Sequence, residues 1–501
     1  MKARLRSFEL LCVLLCALTV RSAPTVVTVD TSSVVSSNFL GFGVQWSPYP
    51  WFDLTDTEWQ RVFDRLDYMR VPLVRVMDRA YHYCDGYDAQ GKPIYAWENR
   101  HMKKLYRLLD YCESRQVQVV IGEWDDPASP EDRADKADDE LQQYHIDCTD
   151  PRWTRLIGDF LDQLIDKKHY TCLKYYNLIN EPNGDWSHCA DFGKWKTAIT
   201  NLHTELQERG LDKKIQITGP DVTRIKDFYW IDRALQECAG NLDAYDVHGY
   251  VDYEDLESDY LERVLSGKRE YINRYDPHGR AKPFFMGEVG MSRRGRVEPQ
   301  GGEDSHPIVY EPIYGIWMTD YCIQAARAGL AGAIAWDLDD AMHIDTDKGN
   351  GWPDVRQTLF KKWGFFNSLA EEIGHPEDAK LRPWFYTWSL MSRYFPTGCQ
   401  IVNSRETGLP GVRTLAATIG PHEITVALVN DSDKPQKLRV TVPGWKSGSP
   451  LRRYNYSSAD RLVNKDGFPL SRQAISPKKL GAGVTIDLTA RSFVLLTTLR
   501  D

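Results

Sequence analysis

Between residues 41 and 337 the chain alternates short apolar, β-branched and aromatic runs with longer stretches whose apolar positions recur at helical spacing. The strand-like runs lie at 41–46, 73–77, 117–122, 175–181, 215–219, 245–250, 283–290 and 331–337. Amphipathic segments separate them. In residues 56–68, for example, Trp59, Val62, Phe63 and Leu66 share one face. Similar segments follow at 102–112, 153–165, 195–208, 230–237, 256–275 and 314–328. Strand–helix units in this number, joined by right-handed crossovers, close into a (β/α)8 barrel. Such a barrel presents its chemistry where strands end, at the C-terminal face.

Beyond Trp384 the period changes. Short strands at 423–429, 437–442, 484–488 and 493–496 are separated by Pro, Gly, Ser and Asn turns, the pattern of a β-sandwich. A lone strand at 25–30 precedes the barrel pattern. We divide the chain into a leader (1–22), an N-terminal strand (23–37), the barrel (38–396) and the sandwich (397–501). A helix over 381–395 is expected to pack barrel against sandwich.

Lys2, Arg4 and Arg6 precede an apolar run from Leu10 to Val20 that ends near small residues, which reads as a secretory signal peptide. The expected location is therefore outside the cytoplasm, secreted or periplasmic. No run is long enough to span a bilayer. A net charge of −9 gives no footprint for nucleic acid. Eight cysteines follow the leader, and an exported chain is expected to pair some of them. Cys148 and Cys189 fall on neighbouring loops of the barrel's upper face and are the predicted pair, with Cys84 as competitor and Cys322 as a free thiol. No Cys-x-x-Cys pair points to zinc. The acidic segment 337–347 has no calcium-loop spacing and reads as a substrate-facing rim. No metal or cofactor is expected.

Two strand ends carry carboxylates. Asn180 and Glu181 close the run 175–181, immediately before Pro182. Glu288 closes 283–290, between Gly287 and Gly290. Two glutamates on separate strand ends are what retaining glycoside hydrolysis needs, one as acid/base and one as nucleophile. Sixteen Trp and 26 Tyr offer aromatic faces for sugar rings.

Asn180-Glu181-Pro182 on the fourth strand and Glu288 on the seventh resemble the clan A glycoside hydrolases, the 4/7 superfamily. Arg75, His248 and Trp336 match positions that this clan uses in its sugar site. The early strand and the 381–395 helix resemble a narrower group: the β-xylosidase/α-L-iduronidase, glucosylceramidase-like and α-L-arabinofuranosidase families. There, the N-terminal strand joins the C-terminal sandwich. The resemblance implies that Glu181 is the acid/base and Glu288 the nucleophile. It implies that Asn180 binds the sugar 2-hydroxyl and that Arg75 lies beneath Glu288, lowering its pKa, while the neighbouring charge raises that of Glu181. His248 lines the site or is a satisfied core histidine. Tyr250 donates to the nucleophile, Trp336 stacks on the sugar, Trp124 and Trp46 are further stacking candidates, and Glu123 and Gln45 bind hydroxyls. The partner is an oligosaccharide, polysaccharide or glycoconjugate. Inserts at 125–150, 291–307 and 337–357 would wall the cleft into a pocket, which favours exo action. A non-catalytic carbohydrate-binding protein and a transglycosylase are the alternatives. Sugar, anomer and oligomeric state stay open.

Overall fold

The computed structural model describes residues 23–126, 146–187, 189–292, 306–344, 359–404, 407–445, 449–476 and 478–500. The expected leader, most of the three expected inserts and the end of the acidic rim fall outside them.

Eight parallel strands form a closed barrel in chain order: Gly41–Gln45, Leu73–Asp78, Gln118–Glu123, Leu173–Asn177, Gln216–Val222, Ala244–Val251, Phe284–Met291 and Gly332–Ala335. Strand eight pairs with strand one, Gly332 opposite Gly41, so the sheet has no edge. Helices begin where the sequence caps them. Thr55 and Glu58 form a reciprocal capping box at Asp56–Met69, and Asp150 caps a helix whose first residue is Pro151. The expected helix 256–275 is broken instead into Tyr253–Glu257 and Tyr260–Tyr275, with Asp259 in the left-handed region at φ 56°.

Alternation along the strands decides what faces inward. Leu73, Val120, Tyr175, Phe285 and Ile334 fill the barrel interior near the strand beginnings. Their neighbours Val74, Val119, Tyr176 and Phe284 belong to the much larger core between strands and helices. Two residues after Leu73, Arg75 therefore faces inward, and two after Ile334 comes Trp336.

The second unit is a nine-stranded arrangement. In spatial order its strands are Arg472–Ile475, Leu451–Tyr456, Ser492–Thr497, Glu423–Asn430, Val412–Ile419, Gln400–Ser404, Thr25–Ser36, Gln436–Thr441 and Val484–Leu488. The N-terminal strand joins two layers. Residues 25–28 run parallel to Leu438–Thr441, and register shifts beyond Asp30 let the rest pair antiparallel with Ile401–Ser404. Val27, Val29, Val426, Val440, Ile486 and Leu496 form the sandwich core. The helix Pro383–Tyr394 touches both units: the Trp388 indole donates to the Gly43 carbonyl at 3.1 Å, and the Tyr394 and Tyr454 hydroxyls meet at 2.6 Å.

The expected Cys148–Cys189 disulfide is not formed. Among the described residues no disulfide joins any of the eight cysteines, Cys84 and Cys322 included, and all eight are buried. The expected partners are nevertheless neighbours. A hydrogen bond with Cys148, and then burial, pushes the Cys189 thiol well above its ordinary pKa.

Candidate active site

Barrel strand four stops at Asn177, four residues earlier than its composition suggests, and a bend carries Asn180 and Glu181 inward. The Asn180 N–H donates to the Glu123 carbonyl at 2.9 Å, which ties the bend to strand three. Glu181 adopts φ 43°, a left-handed conformation that costs a non-glycine residue about 1–2 kcal/mol. Strained backbone of this kind clusters at functional sites.

Glu288 is aimed by a bulge. Met286 pairs with Val247 and Glu288 with His248, leaving Gly287 as an extra residue that shifts the register. With Phe285 inward, strict alternation would turn Glu288 outward; the bulge brings it to the interior. Gly287 suits this turn because a Cβ there would sit 2.9 Å from Asp221 Oδ1.

Arg75 organises the floor. It is fully buried and donates to Glu288 Oε1 at 2.7 Å, Asn180 Oδ1 at 2.8 Å, Asp221 Oδ2 at 2.9 Å and Gln45 Oε1 at 3.2 Å. The Tyr250 hydroxyl donates to the other Glu288 oxygen at 2.8 Å. Both carboxylate oxygens of Glu288 are thus held. Burial nonetheless pushes the Glu288 carboxyl above its ordinary pKa, and His248 and Arg75 pull it only part of the way back. The expected lowering by Arg75 is real but is outweighed by desolvation.

His248 lies between acids, with Nδ1 2.8 Å from Glu181 Oε1 and Nε2 2.8 Å from Asp221 Oδ1. Glu181, His248 and Glu288 offer polar atoms within 4.8 Å of one another, a group able to hold a metal by distance alone. Both imidazole nitrogens already face carboxylates, so a cation here would have to displace these bonds. The 4.8 Å limit also bounds the gap between the nearest Glu181 and Glu288 oxygens.

Above this floor opens a cavity of about 570 Å³. Trp124 and Trp336 meet edge to face at 5.8 Å on one wall, and Trp363 packs against Tyr250 at 5.5 Å on another. Asn180, Glu181 and Glu288 open into it, as do the cations Arg79, Arg224 and Lys361. Trp186, 59% exposed, stands at the rim on the loop after strand four.

Three expected substrate contacts are placed elsewhere. Trp46 is turned outward and packs among Trp59, Phe63 and Tyr111 behind the barrel wall. Glu123 is buried beside the Tyr83 hydroxyl, which donates to it at 2.8 Å. Gln45 does face inward, but it accepts from Arg75 and donates to Ser47 below the cavity floor. Asp221, Asn177, Trp363 and Trp186 are additions. Asp221 is the penultimate residue of barrel strand five, after Gly219-Pro220, and accepts from Arg75, His248, the Asn177 amide at 2.7 Å and the Glu181 N–H at 3.3 Å. The strand-end rule that singles out Glu181 and Glu288 also applies to it.

No known family profile matches this sequence, and no curated protein matches it. Solved structures do match. A GH30 endoxylanase from Clostridium papyrosolvens superposes with a TM-score of 0.60 at 12% identity, over 94% of this chain and 99% of that one. A GH39 β-xylosidase from Caulobacter crescentus gives 0.59 at 12% identity, again over 94% and 99%. A conserved exported protein from Bacteroides fragilis gives 0.63 at 14%, over 94% and 100%. The chain has their fold. Barrel, sandwich and connecting elements are shared along nearly the whole length, and at this identity the likeness is one of architecture.

Proposed function

We propose that the protein is a secreted, retaining glycoside hydrolase, with Glu288 as nucleophile and Glu181 as acid/base. The observation that carries this reading is the pairing of two differently held carboxyls at one barrel mouth. Glu288 is clamped on both oxygens by Arg75 and Tyr250, as suits an attacking carboxylate. Glu181 opens into the cavity on the opposite strand, with an oxygen within 4.8 Å. Retaining enzymes place their carboxyl groups about 5–5.5 Å apart, whereas inverting ones leave about 6.5–9.5 Å for a water.

In the first half-reaction Glu288 attacks the anomeric carbon while Glu181 protonates the departing oxygen. Water, deprotonated by Glu181, then releases the sugar. Asn180 gives its carbonyl to Arg75, which leaves its amide N–H groups to donate to the sugar 2-hydroxyl. Trp336 and Trp124 supply the apolar face for the ring. The reaction is exo-acting, releasing single sugars from a chain end. β-D-Xylosides are the first substrates to test, since solved proteins of this fold are named xylanases and β-xylosidases.

A panel of 4-nitrophenyl glycosides, led by the β-D-xyloside, together with xylo-oligosaccharides tests this. Turnover with release of monosaccharide is expected. Saccharide binding without turnover of any member would replace the enzyme by a carbohydrate-binding protein.

A further inference from the structure

Three carboxylates close on one imidazole at the end of barrel strand six. His248 Nδ1 is 2.8 Å from Glu181 Oε1 on strand four's loop and 3.5 Å from Glu288 Oε2 on strand seven. Nε2 is 2.8 Å from Asp221 Oδ1 on strand five. Arg75 reaches the group from strand two through Asp221 and Glu288. Asp246, on strand six itself, stands behind Asp221 and accepts its backbone N–H at 2.6 Å. His248 and Asp221 are both fully buried. Gly287 seals the contact, because a Cβ there would lie 3.1 Å from His248 Nε2.

Asp221 is held as an acceptor on every side. Its second oxygen takes hydrogen bonds from Arg75, Asn177 and the Glu181 N–H, and it adopts φ 57° to do so. Arg75 and His248 overcome burial and hold its carboxyl well below the usual carboxylate range. An ionised carboxylate can only accept, so His248 Nε2 carries hydrogen throughout. One proton then remains for the 2.8 Å line between Nδ1 and Glu181. Burial alone would strip the ring of this proton, but Asp221 and Glu288 raise the imidazole well above its ordinary pKa, so the ring competes with Glu181 for it and the proton can pass between them along that line.

We propose that His248, oriented by Asp221, is the positioning residue that sets the proton on Glu181. When Glu181 is the acid, it carries the proton and the neutral ring accepts from it at Nδ1. The glycosidic C–O bond then breaks as Glu288 bonds to the anomeric carbon, and that proton goes to the leaving oxygen. The bare Nδ1 lone pair now faces the Glu181 carboxylate and strengthens it as a base. In the second half, water bonds to the anomeric carbon, its proton returns to Glu181 and Glu288 departs. This rests on the glycosidase reading for its kinetic consequence, though not for the tautomer.

Asp221→Asn tests it. The carboxamide keeps an oxygen for Arg75 and Asn177 but turns N–H toward Nε2, which must then accept. The ring proton is forced onto Nδ1, as a fixed donor that holds Glu181 ionised. With phenyl and 2,4-dinitrophenyl β-D-xylosides, kcat/KM should fall about 100-fold for the phenyl compound, which needs an acid, and less than about 10-fold for the dinitrophenyl compound. The alkaline limb of the pH profile should move to lower pH. Equal losses on both substrates would mean that Asp221 acts through Arg75, and would overturn the proposal. Imidazole ¹⁵N NMR, with His248 assigned through His248→Gln, needs no turnover and decides the point even if the variant does not fold. Wild-type protein should show Nε2 protonated. A wild-type Nε2 without hydrogen overturns the relay whatever the enzyme's substrate, whereas a protonated Nε2 with no xyloside turnover would count against the glycosidase reading alone.

Discussion

A single side chain, Arg75, joins Glu288, Asn180, Asp221 and Gln45 by four hydrogen bonds. Replacing it by Lys keeps a charge but not the planar fork that serves four acceptors at once. Arg75→Lys should therefore lower kcat by about 100-fold or more while KM changes little, because the lost interactions align reacting groups rather than bind the ground state. Steady-state kinetics on the 4-nitrophenyl substrate checks this; a pure KM effect would contradict it. Which residues were legible at this scale follows from alternation. Arg75, His248, Tyr250 and Trp336 occupy inward positions counted from Leu73, Ala244 and Ile334. Trp46 and Glu123 fall on outward positions, and a strict period-2 count would have removed them. Glu288 breaks the count through its bulge at Gly287, so composition at the strand end located it better than parity. Asp221 was hidden because Gly219-Pro220 reads as a turn, although the pair lies inside the strand.

Among elements, the loop after barrel strand four does most to shape the cavity. It carries Glu181 at its start, Trp186 at its rim and Cys189 near its end. Trp186 is too exposed to be core, and its ring lines the cavity beside Glu181. Trp186→Ala should raise KM for xylo-oligosaccharides about tenfold, the worth of one aromatic contact of about 0.5–1.5 kcal/mol. It should leave dinitrophenyl xyloside kinetics nearly unchanged. Equal KM values for wild type and variant on xylotriose would remove Trp186 from the site. The same loop meets residue 148 through the neighbouring thiols. Under mild oxidation Cys148 and Cys189 should be the first pair to join, and non-reducing peptide mapping should recover that link. A different first pair would show that their approach does not persist in solution. The elements themselves were legible because eight strand-like runs alternate with helical ones. The break at Asp259 was not, because no proline or glycine marks it.

At the scale of the whole molecule, the two units are locked by buried polar contacts as well as by aromatic ones. Arg413 on the sandwich strand Val412–Ile419 donates to Asp320 Oδ2 on barrel helix Pro312–Arg327 at 2.6 Å. Arg413→Ala leaves a buried carboxyl without its cation and should cost about 3–5 kcal/mol, lowering the Tm of a single unfolding transition. Two separate transitions would mean that barrel and sandwich unfold independently. Stability should also depend on pH in an unusual sense. Burial pushes Asp246 and Asp320 up to about 7, and Asp431 up to about 6. Each binds a proton in the native state that the unfolded chain, near pH 4, releases, so their contribution is present below that pH and is lost as pH rises through 6 to 7. Thermal melts should therefore show a higher Tm at pH 5 than at pH 8, and Asp246→Asn should narrow the difference. A Tm that rises from pH 5 to pH 8 would contradict these burial effects. The joining of the N-terminal strand to the sandwich was legible only by family resemblance, since its partners lie 365–413 residues away in the chain.

The assignment of the two glutamates is tested most directly by azide rescue of their alanine variants on a dinitrophenyl glycoside, with the product configuration read by NMR. Glu181→Ala should form the glycosyl-enzyme but hydrolyse it slowly. Azide should then restore turnover and give a glycosyl azide of retained configuration. Glu288→Ala should lose the covalent step, and any azide product should be inverted. An inverted azide from Glu181→Ala, or a retained one from Glu288→Ala, would contradict the assignment.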